Sequence, residues 1–104
     1  MSQHGAAPQG MWTHSFEEDN GEMLVFRPSQ SFPFPASRRF RETLAFEGSS
    51  VVRGMQGPDD RTRHATSTVT HLGDNLVRFD GGDHIGQVYE MVEVSGEMLT
   101  LRPH

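Results

Sequence analysis

The sequence contains no cysteine and no lysine. Without cysteine there are no disulfides and no thiolate metal sites, so the fold must be held by its own core. Without lysine, all positive side-chain charge apart from histidine comes from nine dispersed arginines, set against 14 acidic residues for a net charge of −5. Nucleic-acid affinity draws on clustered cations that release counterions from phosphates, and this balance argues against it. Arg38, Arg39 and Arg41 stand beside Glu42, and Arg61 and Arg63 beside Asp59 and Asp60, so both groups read as local ion pairs. No apolar run approaches the roughly 20 residues that span a bilayer, so no membrane span is expected. Residues 1–9 have neither a basic start nor an apolar stretch, which argues against a secretory signal and for a cytoplasmic protein. They are polar and small and read as a disordered leader to a single domain over residues 10–104.

What is present is β-like sequence cut by turns, with eleven glycines and six prolines and no helical run. Strands are expected over residues 11–16, 22–27, 38–46, 50–56, 64–71, 76–79, 85–94 and 98–102. The breaks carry turn chemistry: Asn20-Gly21, Glu47-Gly48, Gly57-Pro58-Asp59-Asp60, Gly73-Asp74-Asn75, Asp80-Gly81-Gly82-Asp83 and Ser95-Gly96. Residues 29–37 hold Phe32 and Phe34 between prolines and cannot form a central strand. Short connections favour antiparallel neighbours, and closure removes the two open edges an eight-stranded sheet would leave. The expected fold is all-β: a small, closed, eight-stranded antiparallel up-and-down barrel.

Gly10-Met11-Trp12 opens the first strand and Leu99-Thr100-Leu101-Arg102 closes the last. This pattern resembles the calycin group, in particular small bacterial lipocalin-like barrels, as do residues 12–18, Val25-Phe26-Arg27-Pro28 and Gly57-Pro58-Asp59-Asp60-Arg61. The resemblance implies that Trp12 plugs one end of the barrel and that the Arg102 guanidinium lies across its indole, a cation–π contact worth about 0.5–2 kcal/mol. It also implies a binding protein for a small molecule.

An interior of eight strands is either filled by side chains or hollow enough for one small ligand. On the hollow reading, Phe40, Leu44, Phe46, Val69, Val88 and Val92 line an enclosed cavity entered from the Phe32 and Phe34 end, with the proline-flanked loop as its lid. His14 shares parity with Trp12 and lines the same pocket. The alternation places Phe40, Glu42, Leu44 and Phe46 on one face, and Val88, Glu90, Val92 and Val94 on another, so Glu42 and Glu90 point inward with the apolar rows. A buried carboxylate needs a partner such as Arg53 or Arg78, or else takes a proton and becomes an acid. The leading expectation is therefore a binder of an apolar or aromatic molecule, oriented by Arg53 or Arg78 and one glutamate. The alternatives are a small barrel enzyme (isomerase, cyclase or lyase) using Glu42 or Glu90 with Tyr89, and an interaction module with a filled core that forms a homodimer. No cofactor is implied. Asp80, Asp83 and His84 read as turn residues rather than metal ligands, and His14, His64 and His71 lack zinc-site spacing.

Overall fold

A computed structural model describes residues 8–57, 61–81 and 86–104. Eight strands, β1 (Gly10–His14), β2 (Leu24–Pro28), β3 (Thr43–Glu47), β4 (Ser50–Gln56), β5 (Thr62–Gly73), β6 (Leu76–Asp80), β7 (Val88–Val94) and β8 (Leu99–Pro103), form the architecture. They close into an antiparallel barrel in the order β1-β2-β8-β7-β6-β5-β4-β3. The fold is thus the all-β, closed, up-and-down barrel expected from the strand and turn pattern. Among the described residues no helix is long and apolar enough to cross a membrane.

From β3 to β8 each strand pairs with its successor in the chain. The first three strands depart from that order, because β1 lies between β2 and β3 and pairs with both. β2 and β3 therefore run in the same direction, and residues 29–42 carry the chain from the Trp12 end of β1 back to its His14 end. The turns follow their residues. Gly48 takes φ +59° in the tight β3–β4 hairpin, where Glu47 pairs with Ser50, a conformation glycine adopts without a Cβ penalty.

Four strands are shorter than their sequence pattern: the second runs Leu24–Pro28 against the expected 22–27, the seventh Val88–Val94 against 85–94, and the first and third share one cause. The first ends at His14, and residues Phe16–Glu18 form a 3-10 turn. The third begins at Thr43 rather than at residue 38. One set of contacts explains both. Arg27 donates from Nε and Nη2 to the Glu18 carboxylate at 2.9 and 2.7 Å, and Arg41 donates to both Glu17 oxygens at 2.9 and 2.6 Å. Arg41 also bonds the carbonyls of His14 and Pro35, which holds residues 35–41 off the sheet. Phe32 lies under Arg27 at 5.0 Å and packs edge-on against Phe34 at 4.8 Å. Arg41 lies over both Phe34 at 5.1 Å and Phe16 at 4.4 Å. Phe32 and Phe34 of the proline-flanked loop are therefore clasped by arginines on the outer wall, since Arg27 faces away from the core that holds its neighbour Phe26, while Ser29, Gln30 and Ser31 border a cleft at the Trp12 end.

These pairs carry a pH signature. Arg27, with help from the Ser15 hydroxyl, holds the Glu18 carboxyl at about 2, against an ordinary 4.5. Arg41 likewise lowers Glu17. A depressed carboxyl stabilises the fold above its unfolded value, and the contribution is lost as pH falls from about 4.5 toward 2. The Glu18→Gln variant is expected to be less stable at pH 7 and to lose less further stability between pH 4.5 and 2. Urea midpoints across that range check this, and parallel curves for the two proteins would refute it.

Strand parity decides what the barrel encloses. Trp12, Phe26, Leu44, Phe46, Val51, Val69, Val77, Phe79, Met91, Leu99 and Leu101 form one contiguous buried core. Each Leu or Phe so buried contributes about 1.5–3 kcal/mol relative to exposure. In β7 the inward row is Tyr89 and Met91, because Tyr89 pairs with Val77 and Met91 with Leu101. This corrects the expected row of Val88, Glu90 and Val92, which faces outward. A register shift between Met91 and Glu93 leaves Val92 42% exposed.

Candidate mouth site at the His14 end of the barrel

The core side chains stop short of one barrel end, where β1 and β4 finish and β2 and β3 begin. There a cleft of about 530 Å³ is lined by His14, Leu24, Arg39, Phe40, Glu42, Met55 and Gln56. Its volume lies within the range usual for small-ligand sites. Leu24 and Met55 arrive from the inward faces of β2 and β4, and Arg39, Phe40 and Glu42 from the last residues of the clasped crossover.

His14 forms a buried wall of the cleft. Its Nε2 lies 3.0–3.1 Å from both oxygens of Asp19, and its ring stacks on Phe26 at 5.0 Å and meets Phe16 edge-on at 5.9 Å. Asp19 is itself fixed by the Val25 amide, which donates to Oδ1 at 2.9 Å. The His14 amide donates to the Glu42 carbonyl at 2.8 Å, tying the two linings together through the backbone. The ring orientation is therefore set by a carboxylate, an arrangement that fixes which nitrogen remains for other partners.

Arg53 and Glu42 bring opposite charges to the same end. Arg53 pairs in register with the core residue Leu44, so it shares the inward face of β4 with Val51 and Met55. Its Nη2 stands 3.8 Å from Glu42 Oε1, a loose contact, and its Nε is buried without a hydrogen-bond partner among the described residues. A buried donor without an acceptor costs about 1–3 kcal/mol, so this side chain is poised for one. Glu42 is about half exposed.

Of the expected site residues, the cleft brings together His14, Phe40 and Glu42, with Arg53 beside Glu42 but outside the lining, and the rest lie elsewhere. Leu44 is part of the packed core. Phe32 and Phe34 belong to the outer clasp. Arg78 points outward on β6, where its Nε donates to Asp80 at 2.7 Å, and Val88 lies opposite it on the same outer face. Asp80 also accepts from Thr70 and the Gly86 amide, and these contacts hold its carboxyl below the usual range, Arg78 first among them. Glu90 is bound by Arg102 outside the barrel, and Tyr89 packs on Phe79 at 5.2 Å, so the expected interior acid at residue 90 is not there. The inference that apolar residues mark the inward row of β7 fails because valines occupy its outer row too.

The expected closure of Trp12 by Arg102 does not form. Trp12 pairs with Pro28 at one end of β2, whereas Leu101 pairs with Leu24 at the other, which puts Arg102 a strand's length away and on the opposite face from Leu101. The indole N–H donates instead to the Gln9 carbonyl at 3.1 Å. A second cleft of about 500 Å³ opens at this end, where Met11, Trp12 and Pro28 supply apolar surface beside Gln9, Gly10, residues 29–31 and residues 95–96.

Leu24, Met55, Arg39 and Asp19 escape the sequence reading. Met55 had a usable signal, because it alternates with Val51 and Arg53 on β4. Arg39 did not, since its place depends on the clasp. Asp83 and His84, read as turn residues, lie outside the described residues, as do Pro58, Asp59 and Asp60. Among the described residues no three metal-ligating side chains gather. No protein-family model, curated protein or solved structure matches the chain.

Proposed function

We propose that this protein binds a small apolar or aromatic molecule in the cleft at the His14 end of the barrel. The observation that carries the reading is the cleft itself: Leu24, Phe40 and Met55 present apolar surface among His14, Arg39, Glu42 and Gln56, with Arg53 next to Glu42 outside the lining. Apolar side chains combined with placed polar groups are what a small-ligand site needs to hold and orient its ligand. The site is at the mouth rather than enclosed, because the middle of the barrel is occupied by its own core. The likeness to small lipocalin-like barrels supports the same class of function, with the difference that the ligand sits across the opening.

The test uses N-phenyl-1-naphthylamine, a neutral aromatic probe, with backbone amide NMR shifts recorded during titration. Shifts are expected to concentrate on His14, Leu24, Phe40 and Met55. The Phe40→Ala variant, which removes half-buried apolar surface outside the core, should weaken binding by about five- to tenfold. Absence of binding, or shifts confined to Trp12, Pro28 and Gly96, would refute this location.

A further inference from the structure

The lining of the mouth cleft contains one carboxylate, Glu42, since Asp19 is engaged by His14 and the Val25 amide. Two guanidinium groups stand against it. Arg39 lies over the Phe16 ring at 4.2 Å and has no carboxylate partner among the described residues. Arg53 reaches Glu42 only at 3.8 Å and keeps a buried Nε without an acceptor. The other well-placed arginines differ: Arg27, Arg41, Arg78 and Arg102 each hold a carboxylate in direct hydrogen bonds. In a chain of net charge −5, two guanidinium groups without a close carboxylate hydrogen bond thus stand at this end, Arg39 in the cleft lining and Arg53 beside its Glu42.

We infer that the mouth selects acids: its ligand carries a carboxylate or sulfonate on an apolar or aromatic body. This rests on the binding reading above and adds the ligand's charge. The apolar part lies on Leu24, Phe40 and Met55, and the acidic group meets Arg39 and, where it takes the place of the Glu42 carboxylate, Arg53. Planar guanidinium groups suit such oxyanions because paired N–H donors match paired oxygens. Glu42 is the carboxylate of the chain itself that competes for Arg53. Its loose contact with Arg53 and its exposure let it yield when a ligand anion arrives.

The experiment compares two fluorescent probes with the same anilinonaphthalene body, the anionic 1-anilinonaphthalene-8-sulfonate and the neutral N-phenyl-1-naphthylamine. The anion is expected to bind about tenfold more tightly at low ionic strength, with the advantage shrinking in 0.5 M salt. Arg53→Gln and Arg39→Gln should each remove most of that advantage, read as the ratio of the two probes' affinities, and far-UV circular dichroism with a thermal melt shows that the variants fold. Glu42→Gln should tighten the anion several-fold, since it removes the competing carboxylate. Equal affinity for the two probes, or weaker anion binding by Glu42→Gln, overturns the charge selectivity alone. Failure of both probes to bind overturns the binding reading and this inference with it.

Discussion

Gly86→Ala is expected to destabilise the protein by at least ~3 kcal/mol, read as a fall in the urea midpoint. A methyl group at residue 86 would overlap the Phe79 carbonyl, and the Asp80 amide nitrogen lies 3.3 Å from the same point. The obstacle is backbone inside a strand, so no side-chain rotation relieves it. The Gly86 amide is also fixed by Asp80 Oδ1 at 3.1 Å, and the Phe79 amide donates to the Gln87 carbonyl. Moving residue 86 outward would therefore loosen the β6–β7 junction as a whole. Gly96→Ala is the control, because a Cβ there meets nothing within 4 Å. It is expected to stay within ~0.5 kcal/mol of the parent. A Gly86→Ala protein as stable as the control would refute the close approach.

Arg41→Lys is the second substitution with a large expected effect, about 2–3 kcal/mol, although it keeps the charge. Arg41 divides its N–H groups among four acceptors, the two Glu17 oxygens and the carbonyls of His14 and Pro35. Its guanidinium carbon lies over both the Phe16 ring at 4.4 Å and the Phe34 ring at 5.1 Å, and its side chain is 13% exposed. An ammonium group can neither stack as a plane nor reach four acceptors spread along a fork. Loss of the clasp also frees Phe16, on which Arg39 rests, so binding at the mouth should weaken along with stability. The exposed Arg38→Lys change should shift the thermal midpoint by little. If Arg41→Lys melts with the parent, the crossover is not held by this side chain.

The strands were legible because their ends are chemically marked. Ser50–Gln56 lies between Gly48 and Gly57, and its expected bounds match the structure. Asn20-Gly21 and Ser95-Gly96 marked their turns for the same reason. Less legible was the direction in which side chains point. Valine favours strands whichever face it occupies, so Val88, Val92 and Val94 outweighed Tyr89 and Met91 in the count, although the latter pair face the core. The resemblance misplaced Arg102, because the burial of Leu99 and Leu101 turns it outward to Glu90. At the site, parity indicated His14, Phe40 and Glu42, and the need of a buried carboxylate for a partner indicated Arg53. The approach of Arg39 was hidden, because it depends on Arg41 meeting Glu17 across a long stretch of chain. The prolines correctly barred residues 29–37 from the sheet, but where that segment lies is decided by Arg27 and Glu18.

The pairing of Leu24 with Leu101 has a consequence for how the molecule is made. During translation β2 emerges before β3 to β7, and β8, the strand that covers its free edge, only after them. The nascent chain therefore carries an uncovered row of amides and carbonyls until β8 follows, the kind of edge that recruits foreign strands. β1 can shield only the other side of β2. Arg27 and Glu18, both synthesised early and both on or beside that pair, can keep the young hairpin soluble with charge until the ring is complete.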